Sequence, residues 1–158
     1  MLELENRRNN MFNKMAKQSA CILFAGRSKL CSEDERMKFT VNKNFYYFTN
    51  IKQEDSILIL VKGAFGNNKT YLFVSEYSEL KEKWTGKRLT NDQAGQISGI
   101  SNVYSLNSFP NILELVFGKE GMAGEIKTCY VDLQPEAKID EGKYTENFAD
   151  ELMEKYHV

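Results

Sequence analysis

Histidine is almost missing from this chain: the only one is His157, beside the last of 158 residues. A Ser-His-Asp or Cys-His catalytic arrangement would have to rest on that single imidazole near the end of the sequence, which makes it a poor expectation. HExxH, paired histidines and CxxC are absent, so the common protein zinc sites have no ligand set. The three cysteines, Cys21, Cys31 and Cys129, are odd in number and widely spaced. They match neither a disulfide framework nor a metal pair and are expected as reduced thiols. Neither sign of charge prevails. Lys plus Arg total 21 against 22 Asp plus Glu, a formal net charge of -1, and without a positive field neither nucleic acid nor an anionic membrane is an expected partner. Apolar runs such as 57–61 fall far short of the roughly 20 residues that cross a bilayer. The opening LELENRR is not a basic-then-apolar signal, and a cytoplasmic location is the expectation.

What is present is the make-up of one soluble domain, 42% hydrophobic and 27% charged, so a single domain over 1–158 is expected. Leu2, Leu4, Met11, Phe12 and Met15 are spread among charged residues in a way that predicts a helix over 2–17. ACILFAG, 20–26, reads as a strand buried on both faces. Segments 44–49, 56–62 and 70–75 are rich in β-branched and aromatic residues and separated by Asn, Asp, Gly and Lys, which predicts three consecutive strands joined as antiparallel hairpins. Short helices follow at 78–84 and 90–98, the second opened by a capping box at Thr90 and Gln93. Then come a strand at 103–106 and a helix with Ser108 as N-cap, Pro110 in its first turn and Gly118 as its stop. A strand over 125–133 and an amphipathic helix over 145–156, with Phe148, Leu152 and Tyr156 on one face, complete the chain. Interleaved elements with consecutive hairpin strands predict a mixed sheet covered by helices on both faces, a three-layer α/β/α domain.

One stretch imitates a phosphate loop. Gly63-Ala-Phe-Gly-Asn-Asn-Lys69-Thr70 follows an apolar strand and ends in Lys-Thr, but Asn68 stands where a Walker loop needs Gly. The following YLFVS is strand-like and offers no helix N-terminus to hold phosphate. A hairpin loop is the expectation.

The segment 39–51, FTVNKNFYYFTNI, is more particular. By composition it reads as a central strand, with Phe45, Tyr47 and Thr49 on one face and Asn44, Tyr46 and Phe48 on the other. Around it stand Arg7-Arg8, Ile22-Leu23-Phe24-Ala25-Gly26, Ser32-Glu33-Asp34, then Phe39-x-x-Asn42-x-Asn44-Phe45-x-Tyr47-x-Thr49, and Trp84-Thr85-Gly86-Lys87-Arg88-Leu89. In this order the chain resembles the N-terminal domain of the bacterial aminopeptidase P family, the Xaa-Pro aminopeptidases of the creatinase/prolidase superfamily. The likeness is strong from about Arg7 to Leu89 and rests on the order of elements beyond. It implies the creatinase/prolidase N-terminal fold with its ribonuclease H-like motif.

The resemblance further implies a longer enzyme that removes the residue before an N-terminal proline. Its metal site would hold two divalent ions, usually manganese, on two Asp, one His and two Glu of a C-terminal pita-bread catalytic domain that this chain lacks. No cofactor is then expected within the chain, and no peptidase activity from it alone. Its partners would be that catalytic domain, an X-Pro peptide in the intact enzyme, and further copies in a homo-oligomer. The family's Trp-x-Gly-x-Arg-Leu motif assigns Trp84 to the substrate region, where an indole can stack on a prolyl ring. Asp34 falls at a cleft-facing position, and Arg88 is expected either to pair with a carboxylate across an interface or to stay solvated. Two departures stand out: Asn50 replaces the family's usual Gly, with positive φ still permitted, and Arg36-Met37-Lys38 replaces a more aromatic, Pro-containing approach to Phe39. Two other readings remain open: a stand-alone binding or scaffold protein of the same fold, and the N-terminal domain of a prolidase or creatinase.

Overall fold

Two apolar sets alternate along the central strands, and each set meets its own helices. The computed structural model describes residues 2–28, 38–75, 88–118, 125–132 and 146–158. Strands β1 (Ser19–Phe24), β2 (Ile57–Lys62), β3 (Lys69–Val74), β4 (Val103–Ser105) and β5 (Thr128–Val131) form one sheet in the order β4-β3-β2-β1-β5. β2 runs antiparallel to both β1 and β3, with Ile57 opposite Phe24 and Phe73. β5 is parallel to β1, and β4 is parallel to β3. The mixed sheet is therefore as expected.

Helices α1 (Leu2–Lys14), α2 (Lys43–Thr49), α3 (Asn91–Ser98), α4 (Phe109–Phe117) and α5 (Glu146–Tyr156) cover it. On one face Cys21, Leu23, Leu58, Leu60, Leu72 and Val74 pack with Phe12 of α1, Phe45 of α2 and Ala94 of α3. On the other, Ala20, Ile22, Ile59, Val61 and Phe73 pack with Phe109 and Val116 of α4 and with Phe148 and Leu152 of α5. Phe148 meets Phe24 edge-on at 5.4 Å, and Phe109 meets Phe73 edge-on at 5.2 Å, the arrangement the ring quadrupoles favour. This is the three-layer α/β/α architecture.

The segment expected as a central strand is a helix. Asn42 sits at its start with extended backbone, and its Oδ1 accepts from the N–H groups of Asn44 at 2.7 Å and Phe45 at 3.2 Å. That is an N-cap, which satisfies donors that a helix start leaves open. Phe45 and Thr49, one turn apart, both point into the core, and Thr49 Oγ1 donates to Phe45 O at 2.8 Å. Asn50 closes the helix with φ 57°, its N–H reaching Tyr46 O, so the residue that replaces the family's Gly does adopt the left-handed turn. β-propensity measures fit to a pleated, half-buried surface, and here the cap and core outweighed it. Only β2 and β3 remain of the three consecutive strands.

Smaller differences have local causes. Strand 103–106 stops at Ser105, whose side chain accepts from Asn107 N at 3.3 Å and opens a 3₁₀ turn, Leu106–Ser108. Ser108 precedes α4 but makes no side-chain cap. Gly118 ends α4: a Cβ there would lie 2.5 Å from Glu114 O, so no larger residue fits without moving the last turn. The capping box is present at Thr90 and Gln93. The Walker-like loop joins antiparallel β2 and β3, with Gly66 at φ 86°. The expected helix at 78–84 lies outside the described residues.

Two basic side chains brace the layers. Lys62 Nζ donates to Phe12 O at 2.6 Å and Met15 O at 2.7 Å, neutralising carbonyls at the end of α1. Arg8 is only 5% exposed. It donates to Phe48 O at 2.8 Å, Ser98 O at 2.9 Å and Gly99 O at 3.5 Å, joining α1 to the carboxyl ends of α2 and α3.

Candidate functional site

Strand direction selects one edge of this sheet. β1, β3, β4 and β5 all run the same way, and β2 begins where they end. Loops at the carboxyl ends of parallel strands are where open α/β sheets build their sites, because the strands hold them rigidly while the helices leave room between them. Three polar groups gather at this edge.

The first fastens the end of β1. Ala25 N donates to Ser56 O at 2.8 Å and Asp55 N to Gly26 O at 3.2 Å. Gly26 and Asp55 both take positive φ, 88° and 56°. Arg27 pairs with Asp55, and Ser28 N donates to Glu54 Oε1 at 3.3 Å.

The second lies at the end of β3 and is buried. Ser75 and Arg88 are each 7% exposed and Gln53 is 8%. Gln53 Oε1 accepts from Leu89 N at 2.7 Å, Gln53 Nε2 donates to Ser75 Oγ at 3.4 Å, and Arg88 Nη1 also donates to Ser75 Oγ. Two separate parts of the chain thus converge on the hydroxyl of a third.

The third joins α2 to the residue after β5. Asp132 Oδ2 accepts from Asn42 Nδ2 at 3.0 Å and from Asn44 Nδ2 at 2.8 Å, while Asn42 N donates to Ala25 O at 2.9 Å. Asn42 therefore caps α2, closes onto β1 and reaches β5 at once.

Of the residues singled out from sequence, Arg88 is at this edge, but buried within its own chain rather than solvated. Asp34 and Trp84 lie outside the described residues. Ser28, just before the segment that holds Asp34, and Ser75 and Arg88, on either side of the segment that holds Trp84, belong to the groups just described. Gln53 and Ser75 had no sequence signal, because their partners come from elements remote in the chain. Asn42 was visible only as part of a motif, its capping role masked by the strand-like composition after it.

The chemistry here is polar contact and anchoring. Among the described residues no three His, Cys, Asp or Glu side chains are grouped to hold a metal. Asp55 is engaged by Arg27 and Asp132 by two amides. These carboxylates do not fit a two-metal centre, and no step is assigned to one within the chain. Two thiols are held protonated: burial, then the Asp132 charge, pushes Cys21 up to about 12, and partial burial, then Cys21, pushes Cys129 up to about 12. Both are free, as expected; Cys31 lies outside the described residues. At the opposite edge a recess of about 400 Å³ is lined by residues including Asn9, Asn68, Ser101 and Asn102. No described helix is long and apolar enough to cross a membrane.

Comparison with known proteins bears on this geometry. The family model described as Aminopeptidase P, N-terminal domain matches residues 4–122. Xaa-Pro aminopeptidase 3 of Dictyostelium discoideum is 32% identical over 108 residues, covering 68% of this chain and 21% of that protein. The Xaa-Pro aminopeptidase of Haemophilus influenzae is 30% identical over 111 residues, covering 70% and 26%. A solved structure described as an aminopeptidase P from Bacillus anthracis superposes with TM-score 0.84 at 33% identity, over 98% of this chain and 36% of that one. A Zn-substituted Escherichia coli aminopeptidase P in complex with product shares the fold, with TM-score 0.75 at 24% identity, over 98% and 33%. The chain spans between 21% and 36% of the length of these proteins.

Proposed function

The chain belongs to the aminopeptidase P N-terminal domain family, and from that premise we propose that it serves an Xaa-Pro aminopeptidase as its non-catalytic N-terminal part. In this reading it shapes the cleft that admits the peptide and contributes contacts between copies of the enzyme. Hydrolysis belongs to a catalytic domain of the longer polypeptide, where two divalent ions, manganese by the family's habit, would activate water for attack on the X-Pro bond. Trp84 and Asp34 would face the peptide, and Arg88, four residues after Trp84 in the sequence, would anchor the chain at Ser75. The working location is the cytoplasm.

The observation that carries the reading is the family match over 4–122 together with the carboxyl edge. Ser28, just before the segment that holds Asp34, and Ser75 and Arg88, on either side of the segment that holds Trp84, are fastened at that edge by hydrogen bonds, which supports the reading. A substrate-shaping role needs residues held on rigid strand ends.

The test compares two polypeptides with a peptide bearing proline in the second position. The full-length polypeptide loaded with manganese should release the first residue, and the 158-residue chain should not. Release by the short chain alone, dependent on added metal, would overturn the non-catalytic assignment. A full-length polypeptide that binds metal but ignores X-Pro peptides would overturn the substrate class. Within an active enzyme, Trp84→Ala should lower turnover while leaving metal content unchanged.

A further inference from the structure

The loop that only imitates a phosphate site presents an aromatic ring to solvent. Phe65 is 97% exposed, at a turn between β2 and β3 where Gly, Asn, Asp or Ser is the ordinary choice. The tip is tightly built. Asn67 folds back on Gly63, where a Cβ would lie 2.5 Å from Asn67 Oδ1, and Asn68 N donates to Gly66 O at 3.0 Å with Gly66 at φ 86°. The loop thus holds Phe65 away from its own domain in a shape that binding need not create.

A lone exposed apolar side chain is ordinary on a surface, but this one has a recess beside it. Asn68 and Lys69, which follow it in the same loop and at the start of β3, line the recess of about 400 Å³. Buried Phe12, Tyr71 and Ile100 and exposed Asn9, Asn68 and Asn102 contribute to its walls. An apolar interior rimmed by amides is the anatomy of a protein contact. Glu5 and Arg8 also stand there; with both signs present the recess favours neither an anion nor a cation, and a neutral apolar ring suits it. Such a ring lies on the same edge of the same molecule. A projection and a recess side by side form a self-complementary patch, which a two-fold axis between them uses twice.

We propose that this edge is an interface between two copies of the chain, in which Phe65 of each copy enters the recess of the other. The proposal gives a place to the contacts between copies described above and rests on that reading for its choice of partner. Each ring brings about 150–250 Å², against the roughly 800 Å² per partner of a standard interface. The contact is therefore weak in the 158-residue chain. A formal net charge of -1 leaves little repulsion between copies to oppose it.

Sedimentation equilibrium of the 158-residue chain over a concentration series tests this. The wild type should show a reversible equilibrium between monomer and dimer. Phe65→Ala removes both rings from a symmetric dimer, so it should weaken dimerisation roughly 100-fold or more; at 97% exposure the change leaves the core intact and far-UV circular dichroism unaltered. Ser101→Arg, from an exposed position on the recess, should weaken it comparably by filling the site. Asn9→Arg takes its place if that variant fails to fold. Mixing the two variants separates a ring in a recess from general stickiness. Neither forms its own dimer, but the ring of the Ser101→Arg copy can enter the open recess of the Phe65→Ala copy. With one of two contacts regained, the mixture should associate roughly tenfold more tightly than either variant alone. A wild-type chain that stays monomeric up to about 1 mM would overturn the proposal, as would Phe65→Ala dimerising like the wild type or a mixture no tighter than its components. A full-length polypeptide inactive on X-Pro peptides would refute the aminopeptidase reading, with sedimentation still deciding the interface.

Discussion

Replacing Arg8 by Met keeps most of the aliphatic stem and removes the guanidinium, so it isolates the contacts made by the charged head. That head donates to Phe48 O, Ser98 O and Gly99 O. All three carbonyls lie at the carboxyl ends of α2 and α3, where the helix dipole concentrates negative partial charge. Burial pushes the guanidinium below its ordinary value, with Glu5 acting in the opposite sense, but an arginine remains cationic at neutral pH. Each hydrogen bond to a charged group contributes about 1.5–3 kcal/mol before the cost of desolvating the head is counted. Removing one side of such a buried arrangement costs about 3–5 kcal/mol, a large share of the roughly 5–15 kcal/mol that holds a domain folded. At about 2–4 °C per kcal/mol for a chain of this size, Tm should fall by about 10 °C. Urea titration should show a lower midpoint with an unchanged m-value. Arg8→Lys should recover part of the loss, because one ammonium cannot span the same carbonyls. The adjacent Arg7 supplies the control: it pairs with Glu3, donates to Tyr47 O and lies over the Tyr47 ring at 4.5 Å, but at the surface. Arg7→Met should therefore cost no more than about 1 kcal/mol. If Arg8→Met costs no more than Arg7→Met, the buried bridge contributes nothing and the reasoning is wrong.

Asn42→Ala should cost about 1–2 kcal/mol from the lost cap, and Asn42→Asp should be worse than its capping ability suggests because it sets a second carboxylate against Asp132; urea midpoints of the two variants check this. On the other face Glu114 accepts from Lys155 Nζ and Tyr156 Oη, each at 2.7 Å. These bonds, Lys155 first, hold Glu114 below its ordinary 4.5 and Lys155 above its ordinary 10.5. The α4–α5 contact should thus be fully present between those values, weakening as pH falls below 4.5 through the folded Glu114 value and as it rises above 10.5 through the folded Lys155 value. Limited proteolysis of α5 across pH should follow that window, and Glu114→Gln should remove its acid limb. Cys21 and Cys129, raised from 9.0 to about 12, should resist a thiol reagent at pH 8 until urea opens the core. Their contribution to stability is present below 9.0 and lost as pH rises towards about 12, and labelling of buried Cys21 in the folded chain at the rate of a free thiol would contradict its burial.

The expectations that held share one property: each was written in contiguous sequence. ACILFAG supplied a strand buried on both faces, and Thr90 with Gln93 supplied a cap whose partners are three residues apart. Asn50 tolerated the positive φ that its position requires. The segment 39–51 failed because over so few residues a period of 2 and a period of 3.6 share Phe45 and Thr49 on one face and differ at Tyr47, which the helix leaves exposed. Phe45 and Thr49 satisfy both patterns. What distinguishes them is Asn42 before and Asn50 after, a start and a stop that the aromatic composition obscured. Ser108 failed in the opposite way, being the right residue type with its hydroxyl making no cap.

The sequence alone determined the mixed three-layer architecture and the family, because hydrophobic periodicity and the order of short motifs are properties of neighbours along the chain. Only the tertiary structure decided that Arg8 is a buried bridge, that Asp132 holds Asn42 and Asn44, and that Arg88 turns inward to Ser75 beside Gln53. Those contacts join residues 40, 88 and 90 apart or 13 and 22 apart. Nothing local selects such a partner; strand order and helix placement bring the groups within hydrogen-bond reach, and the cost of burying them unpaired then fixes the pairing.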